Sequence, residues 1–151
     1  MLVAVTNAQR RTPVDLAAMR RLAGCAARRL NIRGPGTLAI TFLDAGRMRT
    51  LNRRFLGSDR ATDVLSFRYD GEPACLPKSM RRRQVAGEIF IAPGEARRYA
   101  RAHGLTYREE LGRYVVHGLL HWLGHDDRTA AEQRAMRRRE DRLLATCRKA
   151  R

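Results

Sequence analysis

The segment His117-Gly-Leu-Leu-His121-Trp-Leu-Gly-His125-Asp-Asp127 constrains this chain more than any other. Histidines four residues apart lie one above the other on a single helix face. One helix presents two imidazoles to one metal ion at this spacing. Gly124 can adopt the left-handed backbone that ends a helix, so the chain can fold back and deliver Asp127 as a third ligand. A bare H-x-x-x-H is more often plain helix surface or satisfied core. Here the glycine and the returning acid each have a geometric job, and a metal site becomes the better reading.

His125 is the rival third ligand. In an unbroken helix His117, His121 and His125 would share a face, but the outer two would stand about 12 Å apart along the axis. That is too far for one tetrahedral ion, and the break at Gly124 favours Asp127, leaving His125 near the metal or facing solvent. Two imidazoles and a carboxylate suit one zinc ion or another borderline divalent metal. Three protein ligands leave a position for water, so metal-assisted hydrolysis is the natural reaction class. Zinc peptidases carry a general-base Glu directly after the first histidine. Gly118 occupies that place, which disfavours a thermolysin-like peptidase unless Glu88 or Asp126 takes the role.

Lys and Arg number 31 against 15 acidic residues, giving a net charge of +16, and every basic residue except Lys78 and Lys149 is arginine. Arginine's planar fork matches phosphate better than lysine's point charge does. The balance therefore points to a polyanion such as nucleic acid, although codon bias can also enrich arginine. With 151 residues and 44% hydrophobic composition, one domain spanning 1–151 with a real core is expected. No apolar run is long enough for a transmembrane helix, and the first residues lack the pattern of a secretory signal. Cys25, Cys75 and Cys147 are odd in number and scattered, fitting neither a disulfide framework nor a C-x-x-C site. A reducing cytoplasm follows.

Strands are expected at 2–6, 37–43, 62–68 and 85–92. Thr12 reads as an N-cap before Pro13, opening a helix to about Leu30. Asp44 caps a helix through about Phe55, and Pro93 opens one that ends near Gly104. Thr106-x-x-Glu109 and Thr129-x-x-Glu132 are capping boxes for the histidine helix and for a last helix to about Cys147. Residues 69–84 read as a polar connecting loop. The pattern predicts an α/β (α+β) domain: a roughly four-stranded mixed sheet covered by helices, with the metal-binding helix near the C-terminus.

The chain resembles the YbeY family, bacterial endoribonucleases of ribosomal RNA maturation. The family's hallmark H-G-x-L-H-L-x-G-Y-D-H appears as His117, Gly118, Leu120, His121, Gly124 and Asp126, with Trp122 and His125 replacing Leu and Tyr. A second stretch, L-N-x-x-[YF]-R-x-x-D-x-x-T-[DN]-V-L-S-F-P, is matched from Leu51-Asn52 through Phe55, Asp59 and Thr62 to Phe67. A third, G-[DE]-I-x-I, is Gly87 to Ile91. The resemblance implies a metal-dependent, single-strand-specific endoribonuclease that acts on ribosomal RNA and the ribosome, without a membrane partner, in the cytoplasm. It holds zinc through His117, His121 and the position of the family's third histidine, which is Asp127 here. The family's arginine after the aromatic is Leu56, and no side chain is assigned as catalytic. Arginine can steady a phosphate and leucine cannot; Arg53, Arg54 or Arg60 could substitute.

Val64, Leu65 and Phe67 read as core, and Asp63 and Ser66 as either turn residues or cleft residues. Arg81, Arg82 and Arg83, with Arg134, Arg137, Arg138, Arg139 and Arg142, either contact RNA phosphates or form a solvated basic face. The alternative is a ribosome-associated RNA-binding factor with a structural metal and little or no catalysis. A metal-dependent hydrolase of another substrate comes third.

Overall fold

Strand β2 (Thr37–Phe42) alternates Leu38, Ile40 and Phe42 with smaller residues, and all three large side chains are fully buried. Such alternation belongs to a strand whose one face carries the main core. In the computed structural model, which describes residues 1–60, 62–69 and 85–149, β2 lies between β1 (Leu2–Asn7) and β4 (Val85–Ile91). It pairs in parallel with both. Strand β3 (Val64–Arg68) adds antiparallel to the outer edge of β4, giving the order β1-β2-β4-β3. The sheet is the four-stranded mixed sheet expected from the sequence.

Helix α1 (Leu16–Arg29) packs against this sheet together with α4 (Tyr107–Trp122), while α5 (Ala130–Lys149) packs on α1 and α4. Ile89 and Ile91 of β4 join Leu38, Ile40 and Phe42 beneath Val115, Val116, Leu119 and Leu120 of α4. Each such side chain contributes about 1.5–3 kcal/mol by leaving water. A smaller core on the other face gathers Leu43, Met48, Leu65 and Ala92 around α2 (Ala45–Leu56). Helix α3 (Pro93–Ala102) leads from β4 and packs on α4. No helix among the described residues is long and apolar enough to cross a membrane.

Two expected caps are corrected. Thr12 does not cap α1: it is buried in a two-way bond with Gln9, its N–H donating to Oε1 at 2.9 Å and its carbonyl accepting from Nε2 at 2.8 Å. The cap falls to Asp15, whose carboxylate accepts from the Ala18 N–H at 3.0 Å. Thr106 stands at the N-cap of α4 but makes no side-chain cap bond, and Glu109 is drawn to Arg148 at 2.8 Å. The other two are built as expected. Asp44 accepts from the Arg47 N–H at 3.0 Å, and Thr129 and Glu132 bond reciprocally.

The cysteine expectation is also corrected. Cys25 and Cys147 form a disulfide across 122 residues of sequence, with their Cα atoms 5.8 Å apart. Helices α1 and α5 pack side by side, and the sequence separation conceals that neighbourhood. The argument from unpaired cysteines to a reducing compartment therefore falls away. The expected loop at 69–84 and the triplet Arg81–Arg83 lie, but for Tyr69, outside the described residues.

Candidate metal centre

Helix α4 carries His117 and His121 one turn apart, their rings 4.4 Å apart and nearly perpendicular. The helix ends at Leu123, and Gly124 turns the chain at φ +92°. The backbone N–H of His125 donates back to the Leu120 carbonyl at 3.1 Å, closing the turn as a helix-terminating glycine does. Asp127 then returns over the two histidines. Its Oδ2 stands 3.6 Å from His117 Nε2 and 3.4 Å from His121 Nε2.

These separations suit a metal. Ligand atoms about 2.0–2.1 Å from a tetrahedral zinc are about 3.3–3.4 Å from each other. His117, His121 and Asp127 are the three-residue group of such donors among the described residues, all within 4.8 Å of one another. His125 is not part of it. Its Nδ1 accepts from Arg139 instead, and partial burial together with the charges of Arg139 and His121 lowers its pKa.

Glu140 of α5 reaches His117 from behind. This carboxylate is buried and accepts from His117 Nδ1 at 2.7 Å. A carboxylate can only accept here, so the bond places the proton on Nδ1 and turns the Nε2 lone pair toward Asp127 and His121. Burial alone would lower the His117 pKa; the bond to Glu140 and the charges of Glu140, Asp127 and Asp63 outweigh it and raise the pKa. Arg113 holds the other oxygen of Glu140 at 3.0 Å and also meets Asp141 at 2.8 Å and Glu110 at 3.7 Å. Burial raises the pKa of Glu110. Neither Glu140 nor Arg113 was marked as functional by sequence reasoning.

Gly118 explains why α4 can lie so close to the sheet. A Cβ there would meet Ile89 Cγ2 at 2.5 Å and Val64 Cγ1 at 3.2 Å. Ser66 Oγ donates to the Gly118 carbonyl at 3.1 Å, tying β3 to the ligand helix. Glu88, one possible stand-in base, is excluded from this face by strand alternation: it accepts from the Tyr69 hydroxyl, whose pKa that bond pushes up to about 12. Asp126 is exposed.

A cleft of about 340 Å³ opens beside His117 and Asp127, and Asp63, Arg113 and Arg137 line it. Asp63 thus takes the cleft position left open by the sequence, while Ser66 braces the helix. Arg53, Arg54 and Arg60 stand on or just beyond α2 and do not line this cleft. Arg53 is engaged by Asp59 at 2.5 Å, and Arg54 lies over the Phe55 ring at 5.5 Å. The Arg60 carbonyl accepts from the buried Asn52 side chain at 2.8 Å. Leu56 is 62% exposed at the end of α2.

Asp127 stands in the cluster and His125 outside it, which makes the choice of third ligand testable. Asp127→Ala is expected to lower zinc content at a fixed low zinc concentration, and His125→Ala to leave it unchanged. Atomic absorption on the two purified variants measures this, and the reverse ranking would overturn the assignment.

A family model described as Endoribonuclease YbeY matches residues 4–148. An Endoribonuclease YbeY of Geobacillus kaustophilus is 35% identical over 136 residues, covering 89% of this chain and 87% of that protein. Another, from Pelotomaculum thermopropionicum, is 34% identical over 148 residues and covers 95% of both chains. Among solved structures, a solution structure from Thermotoga maritima superposes with a TM-score of 0.63, covering 97% of this chain and 89% of that one. Its 22% identity makes it a match of fold.

Proposed function

The chain belongs to the endoribonuclease YbeY family, and from that premise we propose that it is a metal-dependent endoribonuclease that cuts single-stranded RNA in ribosomal RNA processing. The observation that carries the reading is the His117–His121–Asp127 cluster, set at metal-ligand separations with His117 oriented by Glu140. The donor set fits one zinc ion, and also the other divalent metals that two imidazoles and a carboxylate accept. Such an ion supplies Lewis-acid polarisation and an activated water, the chemistry phosphodiester hydrolysis needs.

The protein's own part is to orient and to bind. Glu140 keeps the His117 proton on Nδ1, Gly124 brings Asp127 over the histidines, and Arg137 puts positive charge on the cleft wall. Arg53, Arg54, Arg60, Arg81, Arg82 and Arg83 are proposed to hold the RNA backbone away from the reacting bond, as phosphate contacts do. The strongly positive chain favours such a strand at any sequence. The proposed setting is the ribosome in the cytoplasm; an endoribonuclease family and a strongly positive chain support an RNA partner.

Zinc-loaded protein incubated with single-stranded ribosomal RNA should yield discrete fragments. EDTA should abolish them and added zinc restore them, and His121→Ala should cut at least about 100-fold more slowly, the lower end of the usual cost of one catalytic group. Undiminished cleavage by His121→Ala would sink the metal-centred reading. Tight RNA binding without cleavage would favour the binding-factor alternative, which the exposed Leu56 at the family's arginine position keeps in view.

A further inference from the structure

The cleft at His117 and Asp127 does not end at the metal ligands. Asp63, Tyr99 and Tyr114 line both it and a second hollow of about 560 Å³ on the far side, which Glu95, Arg98 and His103 complete. Tyr99, on α3, thus stands at the junction of the two hollows. Its ring is stacked on that of His103, with centroids 3.9 Å apart and planes within 19°. The His103 Nδ1 lies 2.9 Å from the Tyr99 carbonyl, so it donates there and fixes the imidazole against the phenol. The pair is a braced flat surface rather than a loose side chain, and Tyr99 remains 40% exposed.

What such a surface takes is decided by the charges around it. Glu95 and Arg98 pair with each other and largely cancel, which leaves the Asp63 carboxylate facing the hollow to repel a phosphate. A neutral planar group with N–H donors on its edge meets no such penalty. It can stack on the ring and give hydrogen bonds to the carboxylate. A nucleobase has this chemistry, and only an unpaired base has a free face to offer.

We propose that Tyr99, backed by His103, stacks an unpaired base of the RNA strand whose phosphodiester lies at the His117–His121–Asp127 cluster. The proposal rests on the endoribonuclease reading and extends it: α3, which holds no metal ligand, reads single-strandedness. A paired base is already stacked within its helix and cannot enter. Stacking on an aromatic ring is tolerant of sequence, so the subsite selects for strand state more than for base identity.

A short single-stranded oligoribonucleotide carrying 2-aminopurine tests this with the full zinc-loaded chain. Wild type should quench the fluorophore on binding when it occupies one particular position of the strand. Tyr99→Ala should lose that quench and bind about 5- to 150-fold more weakly, the effect of one base stack. Tyr99→Trp should retain both, and zinc content should be the same in all three proteins. Wild-type affinity and quench in Tyr99→Ala would overturn the proposal, as would a loss in Tyr99→Trp equal to that in Tyr99→Ala. Cleavage is scored in the same samples. If Tyr99→Ala alone loses the quench while no protein cuts, the stacking subsite stands and the endonuclease reading fails. If wild type does not bind the strand, both fail.

Discussion

Glu140→Ala is expected to destabilise the protein by about 3–5 kcal/mol and to weaken zinc binding by about 10–100-fold. The first figure is the cost of removing one partner from a buried ion pair, and the second that of losing the group that orients a ligand histidine. Glu140 is 3% exposed and satisfies two groups at once, His117 Nδ1 at 2.7 Å and Arg113 at 3.0 Å. Truncation leaves both without it in a half-buried setting. Arg113 retains Asp141 and Glu110, which places the stability loss toward the lower end.

Glu140→Gln separates the two effects. It keeps the volume and one acceptor oxygen but has no charge to hold the imidazole, so zinc affinity should fall with a smaller loss of stability. Urea melts of the metal-free proteins and competition with a zinc-binding dye measure the two quantities. Zinc affinity equal to wild type in Glu140→Ala would remove Glu140 from the site. The pH dependence gives a further reading. The folded pKa of His117 is raised, so its contribution to metal-free stability is fully present below the ordinary value of 6.5. It is lost as pH rises through the raised folded value. The melt of Glu140→Gln should be flatter over that interval.

The site was half legible in the sequence, and the reason is distance along the chain. His117, His121, Gly124 and Asp127 fall within one helix turn and its return, where spacing alone implies geometry. Glu140 is 23 residues from His117 and 27 from Arg113, and only the packing of α5 on α4 joins them. A signal existed even so. Met136, Glu140 and Leu144 recur at four-residue intervals, and all three are buried. A lone acid on the apolar stripe of an arginine-rich helix needs a buried cationic partner. The strands were legible because their alternation is local. The cap at Thr12 was misread because Gln9, three residues away, ties up the Thr12 backbone in a local turn and Asp15 caps instead. The one at Thr106 was misread because Arg148, brought near only by tertiary packing, draws Glu109 away. Cys25 and Cys147 were misread for the same reason, since the loop between them has no local trace.

Gly118→Glu would recreate the H-E-x-x-H spacing of a zinc peptidase, and it is expected to unfold the site rather than convert it. The new Cβ would lie 2.5 Å from Ile89 Cγ2, a fully buried side chain at the centre of the sheet. Beyond it the carboxylate would enter the packed layer between α4 and β4, where an unpaired charge is heavily penalised. A loss above about 4 kcal/mol is expected, the range reserved for overpacking combined with a buried charge. To escape the clash α4 must lift from β4. That breaks the Ser66–Gly118 bond and carries His117 and His121 away from Asp127. Gly118→Ala is the graded control. Overpacking costs about 1–3 kcal/mol, offset by up to about 1 kcal/mol of helix propensity, so a net loss near 1–2 kcal/mol should appear with zinc content reduced. Chemical denaturation and zinc content measure both variants. Wild-type stability in Gly118→Glu, or any metal-dependent hydrolysis of a peptide substrate by it, would sink this account. The side chain a peptidase aims at its substrate would here be aimed at Ile89, so the residue after the first histidine is barred from catalysis by the packing that holds the ligand helix in place.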